Sequence, residues 1–212
     1  MKAQISIEFM IGIMFLLVIY IAALSGFNTF ANTNIIQNEA AKQVCYTVSS
    51  AISSADIGGS GFSMNESIPY SIGASYDYSL SVLNKSVVDI NWPNGFFSCS
   101  MITQNITSIT MYAGKFSLNN INGTVYISSV YTDKLVYNIS ETVHTNGTYF
   151  FNNVSLAIYN NGTLVSGYPV TIQIVNNSFS YNFVSTVAGH YTIKVNDINK
   201  TTFYAEREFD VI

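Results

Sequence analysis

Over its first 57 residues the chain carries an unbroken apolar run that thins into a helical beat. From Ile5 to Phe27 the polar side chains are Ser6, Glu8, Tyr20 and Ser25. A mostly apolar run of about 20 residues is long enough, at about 1.5 Å per residue, to cross the hydrocarbon core of a bilayer. Beyond Phe27, apolar residues recur at Phe30, Ala31, Ile35, Ala40, Val44, Val48, Ala51, Ile52 and Ala55, in steps that follow a 3.6 period. Asn32, Asn34, Gln37, Glu39, Lys42 and Gln43 cover the other face, and Gly58, Gly59 and Gly61 stop the pattern. The spacing predicts one helix from Ile5 to Asp56, about 80 Å long, apolar over 5–27 and amphipathic over 28–57.

From Gly61 the helical period gives way to alternation. Runs such as Tyr76-Asp77-Tyr78-Ser79-Leu80-Ser81-Val82 and Ser86-Val87-Val88-Asp89-Ile90 read as strands. Pro69, Gly73, Pro93-Asn94-Gly95 and Asn122-Gly123 read as turns between them. This predicts a small antiparallel sheet packed on the amphipathic half of the helix. Further strands are expected at Lys134–Ile139, Tyr149–Tyr159, Tyr168–Val175, Ser178–Ser185, His190–Val195 and Thr202–Ile212, with turns at Asn161-Gly162 and Gly167. Short, evenly spaced strands of this kind suggest a sandwich.

Charge narrows the function. Charged residues are 9% of the chain, against about 25% in an ordinary soluble protein. Apolar residues are 49% and the net charge is −4, which argues against a disordered chain and against a free cytosolic monomer. Eight Lys plus Arg supply no phosphate-neutralising face, so nucleic acid is excluded as a partner. Lys2 is the one basic residue before the apolar run, and beyond Glu8 the next charge is Glu39. That asymmetry weakly places Met1 in the cytoplasm and everything after Phe27 outside. A secretory signal peptide has a shorter apolar region and a small-residue cleavage site, which Ala22, Ala23 and Ser25 supply poorly.

The segment Lys2-Ala3-Gln4-Ile5-Ser6-Ile7-Glu8 resembles the class III signal peptide of archaeal type IV pilin-like proteins, in which a short basic leader precedes Gln-x-Ser-x-Glu and an apolar helix. Gln4, Ser6 and Glu8 match the pattern. Gly12 stands where it has Leu, although Met10, Ile11 and Ile13 keep the apolar character. The resemblance covers about the first 30 residues strictly and the rest only in its spike-and-head layout. It implies a leader over 1–3, cut between Ala3 and Gln4 by a membrane prepilin peptidase. It also implies a helical segment over 4–59 and a pilin-like β domain over 60–127. Glu8 would then engage the new amino terminus of a neighbouring subunit. The same pair could form within one subunit, one turn apart, and both arrangements stay open. Over 128–212, the run Gly189-His190-Tyr191-Thr192-Ile193-Lys194-Val195 resembles the late strand of immunoglobulin-like domains, with Tyr191 as a corner tyrosine bonded to backbone.

The expected fold class is therefore α+β: a long N-terminal α-helix, an antiparallel β head and a C-terminal Ig-like β-sandwich. Ten Asn-x-Ser/Thr sequons begin at Asn65, Asn84, Asn105, Asn122, Asn138, Asn146, Asn153, Asn161, Asn176 and Asn199, all after the apolar run. They read either as an Asn- and Thr-rich β surface or as a glycosylated extracellular face. Cys45 and Cys99 are the only cysteines, and outside the cell they form either one bridge or two buried thiols. No enzymatic motif appears. His144 and His190 are isolated, and Glu206, Glu208 and Asp210 alternate on one strand, which reads as a solvated face. Trp92 before Pro93 reads as turn packing. Neither cofactor nor metal is expected. The expected role is a structural subunit of a pilus-like filament, a membrane-inserted precursor that moves to the cell surface. Its partners would be the prepilin peptidase, the assembly machinery and other pilins in a homo- or hetero-polymer. The alternative is a monomeric, membrane-anchored glycoprotein whose Ig-like domain binds a ligand or the cell wall.

Overall fold

The computed structural model describes residues 2–73, 78–83, 86–93, 95–103, 105–200 and 202–212, with the side chains of 2–12 and 24–34 outside the description. Ala3, Gln4 and Glu8 therefore have no described side chains, and Asn84 lies outside the described residues.

Among the described residues, one helix, α1 (Lys2–Ile57), precedes fifteen strands. The first seven are β1 (Ser63–Ile68), β2 (Ser79–Leu83), β3 (Val87–Trp92), β4 (Gly95–Ser100), β5 (Ile109–Met111), β6 (Gly114–Ile121) and β7 (Thr124–Thr132). There follow β8 (Val136–Tyr137), β9 (Thr142–Thr148), β10 (Val154–Asn160), β11 (Thr163–Leu164), β12 (Val170–Ile172), β13 (Ser178–Val184), β14 (Gly189–Asp197) and β15 (Tyr204–Val211).

This corrects the expected α+β class. The fold is dominated by strands and fits a β-sandwich, and among the described residues no helix is long and apolar enough to cross a membrane. The helical beat is also corrected at its start. The buried face runs through Gln37, Ala41, Val44, Cys45, Val48, Ala51, Ile52 and Ala55, while Ile35 is 61% exposed. Two residues turn a helix by about 200°, so a stripe that contains Gln37 cannot contain Ile35.

The strands form two sheets. A four-stranded sheet runs β4-β3-β2-β5 and packs on α1. An eleven-stranded sheet runs β11-β10-β14-β15-β6-β7-β9-β13, with β1 on β6, β12 on β10 and β8 parallel to β15. Its hairpin turns follow from sequence. Asn122 (φ 52°) and Gly123 (φ 84°) join β6 to β7, and Asn161 (φ 47°) and Gly162 (φ 80°) join β10 to β11. Two successive positive φ values are what a type I′ hairpin requires.

Two hydrophobic clusters sit on this frame. One joins the α1 face to β1–β6 and ends with Val125 and Ile127; the other starts at Val130 and fills the sandwich to Val211. β7 passes from one to the other. Val125 and Ile127 face the first cluster, then Ser128, Ser129 and Val130 are buried in succession. The alternation slips by one residue there, which turns the inward side over. Pairing changes at the same place: Ser128 lies opposite Ser117 of β6, and Ser129 opposite Thr148 of β9. The buried hydroxyls are satisfied, Ser128 Oγ donating to the Tyr149 carbonyl at 2.7 Å and Ser129 Oγ lying 3.2 Å from Thr148 Oγ1.

Candidate functional site

The first candidate surface is the described apolar part of α1. Ile13, Met14, Phe15, Leu16, Leu17, Val18, Ile19, Tyr20 and Ile21 are 43–68% exposed all round the helix. A contiguous apolar surface of this kind is characteristic of a segment that another surface covers. It lies before Gln37, where α1 first buries a side chain among the described residues.

Behind it, α1 is tied to the β portion. Cys45 and Cys99 form a disulfide with Cα atoms 6.1 Å apart, joining α1 to β4. Asn120 Nδ2 donates to the carbonyl of Ala55 at 3.0 Å, so β6 holds the end of the helix as well. Trp92 is 8% exposed and lies over Gly95, where an added Cβ would come within 2.7 Å of its ring.

The sequons lie on the outside. Asn65, Asn105, Asn122, Asn138, Asn153, Asn161, Asn176 and Asn199 are exposed, and Asn146 is half-buried in β9. Asn122, Asn161 and Asn176 have positive φ, at turns, and Asn161 Oδ1 accepts from the His190 N–H at 3.1 Å. The geometry leaves these side chains accessible to a modifying enzyme.

Tyr191 sits at the corner of the sandwich. Its hydroxyl donates to the Val187 carbonyl at 2.8 Å and accepts from Ser185 Oγ at 2.8 Å and Asn160 Nδ2 at 3.1 Å. His144 and His190 do not meet. His144 Nδ1 lies 2.9 Å from Asn182 Oδ1, and His190 Nδ1 lies 2.8 Å from Asp210 Oδ1. His190 is held above its ordinary pKa, chiefly by that bond. No group of His, Cys, Asp and Glu able to hold a metal occurs among the described residues.

The acids of β15 do not share one solvated face. Asp210 is exposed and Glu208 half-buried, but Glu206 is buried at 4% exposure. Its Oε1 lies 3.0 Å from Lys115 Nζ and its Oε2 3.8 Å from Lys194 Nζ, and Tyr204 donates its hydroxyl to Oε2. Burial pushes the Glu206 carboxyl up; Tyr204 and Lys115 outweigh it and hold the group below the usual range. The sequence reading missed Arg207, which is 3% exposed between these two acids on the opposite side of the strand. Its Nη1 donates to the Ala113 carbonyl and its Nε to Thr132 Oγ1 at 3.4 Å, and its guanidinium lies 5.8 Å from the centre of the Tyr70 ring.

No protein-family model matches the chain, and no curated protein matches it. Among solved structures, it is similar to a superoxide reductase (neelaredoxin) from Ignicoccus hospitalis at 9% identity and a TM-score of 0.30, covering 40% of this chain and 80% of that one. The soluble domain of PmoD from Methylocystis sp. ATCC 49242 (Rockwell) is similar at 11% identity and a TM-score of 0.30, covering 41% and 91%. The human OSCAR ligand-binding domain is similar at 8% identity and a TM-score of 0.25, covering 58% and 86%. Likeness at this level carries no argument about function.

Proposed function

We propose that the chain is a structural subunit of an archaeal type IV pilus-like surface filament, with its β portion displayed outward for adhesion or surface contact. One observation carries the reading: the apolar block Ile13–Ile21 stands exposed, whereas the described apolar side chains of the β portion largely fill two clusters. Packing such blocks together removes apolar area from water at about 25 cal/mol per Å². The sequence supports it through Gln4, Ser6 and Glu8 ahead of the apolar run. In this reading, cleavage after Ala3 frees an amine on Gln4, and Glu8 takes up such an amine as copies pack. The acid is tolerated in an apolar setting because it is paired. A sparse-charge surface studded with sequons gains its hydration from glycans.

The test is to express the chain and Glu8→Ala in a host that processes such precursors. Shed filaments are imaged, and the first residue and mass of the recovered protein are determined. The reading expects filaments whose subunits begin at Gln4 and exceed their residue mass, and few filaments from Glu8→Ala despite normal surface delivery. Normal filaments from Glu8→Ala, or chains still beginning at Met1 and dispersed singly in lipid, refute it.

A further inference from the structure

Arg207 is buried at 3% exposure. No ion pair involves it among the described residues, and only two of the five N–H groups of its guanidinium meet acceptors there, at Ala113 and Thr132. Burial pulls it below its ordinary pKa, yet an arginine stays charged at any working pH. A buried charge without a counter-charge is costly, and a bound anion removes the cost.

Arg207 forms part of the wall of an open cleft of about 450 Å³, a size that suits a small ligand. Tyr112 and Tyr131 form another wall, their ring centroids 5.3 Å apart at an interplanar angle of 42°. Tyr112 is 37% exposed at the mouth. Two charged residues also border the cleft. Lys134 pairs with Glu141. Asp133 has its Oδ1 engaged by the Tyr137 hydroxyl at 2.5 Å and the His144 N–H at 3.2 Å. The cleft thus offers a desolvated, planar cation beside two tilted aromatic rings. A guanidinium matches a carboxylate in a two-bond fork. Aromatic rings present flat apolar faces to the C–H face of a pyranose while their hydroxyls meet its polar edge.

We propose that the cleft between Arg207 and the Tyr112–Tyr131 pair binds a carboxylate-bearing sugar, a uronic acid unit, with the carboxylate on Arg207 and the ring against the tyrosines. This gives the adhesive half of the proposed function a ligand class and rests on that reading only for its biological use. Binding is measured on the dispersed full chain, so it is scored separately from filament formation.

The experiment titrates the full chain in detergent micelles with sodium glucuronate, glucose, acetate and inorganic phosphate, by calorimetry. Glucuronate should bind, with glucose, acetate and phosphate each roughly tenfold weaker or worse. Arg207→Lys and Tyr112→Ala should each weaken glucuronate by roughly tenfold. If Arg207→Lys lowers the melting temperature, Tyr112→Ala at the exposed mouth carries the test. Absence of glucuronate binding overturns the proposal. So does phosphate or acetate binding as tightly, which makes the cleft a bare anion site, and so does an affinity unchanged by Tyr112→Ala.

Discussion

Removing the Cys45–Cys99 bridge tests how the chain is held together. The two residues are 54 apart in sequence, and a cross-link over such a loop withdraws about 4 kcal/mol of closure entropy from the unfolded chain. Packing alone must then keep α1 on the four-stranded sheet, through Ala41, Val44, Val48 and Ile52, all at most 5% exposed. Cys45→Ala with Cys99→Ala leaves those contacts in place and deletes two sulfurs from the first cluster. For a chain of this length, 1 kcal/mol shifts the melting temperature by roughly 2–4 °C. The expected fall is therefore about 8–16 °C, and it should fall on the transition of the cluster that contains α1. The assay is differential scanning calorimetry of the full chain in detergent, oxidised, reduced, and as the double variant, with thiol titration to verify each state. Reduced and double-variant proteins should melt together. A fall of less than about 3 °C would refute the loop-closure reasoning. An equal fall in a separate transition of the second cluster would refute the claim that the bridge acts on the first alone.

Two further outcomes follow from the sandwich. Tyr191→Phe deletes one donated and two accepted hydrogen bonds at Val187, Ser185 and Asn160, so urea unfolding should show a loss of about 1–3 kcal/mol; a loss within about 0.5 kcal/mol would mean that the corner is ornamental. Glu206 is held below its unfolded value, so the stability it contributes is present above the ordinary carboxylate pKa, near 4.5, and goes as pH falls through the folded value. Glu206→Gln should melt lower at pH 7 and show a flatter fall in melting temperature below pH 4.5, and an unchanged acid profile would rule out the Lys115 and Lys194 pairing as its source.

Much of the strand order was legible because alternation and turn chemistry are local. Asn122-Gly123 and Asn161-Gly162 announce their hairpins, since few other pairs accept two positive φ values. β9 was missed for the same reason. Its Asn146-Gly147 has the composition of a turn, yet both residues pair with β13, and Gly147 is needed opposite Phe179, where an added Cβ would come within 2.0 Å of the ring. Only the partner strand β13 reveals that need. The fold class misled because the apolar start of the chain dominates any reading by hydropathy, whereas the architecture is set by the strands that follow. The handover in β7 was equally hidden: Ser128-Ser129 looks like an ordinary polar pair, and its burial depends on Thr148 and Tyr149 some twenty residues on.

The candidate cleft lay still further from view. Glu206-Arg207-Glu208 reads locally as a hydrated strand, the commonest fate of three charges in a row. Its burial comes from groups far along the chain, Ala113 at 94 residues and Thr132 at 75. β15 pairs with β14 along its length and meets β6 where Glu206 faces Lys115. Glu206 on one side of the strand is satisfied by two lysines, while Arg207 on the other meets a carbonyl, a hydroxyl and tyrosine rings. If both charges served only to fix the strand, the acid and the base would each be expected to find an opposite charge, because a buried ion left alone destabilises what it anchors. Among the described residues that asymmetry is what the proposed recognition rests on, and it singles out Arg207 rather than the acids beside it.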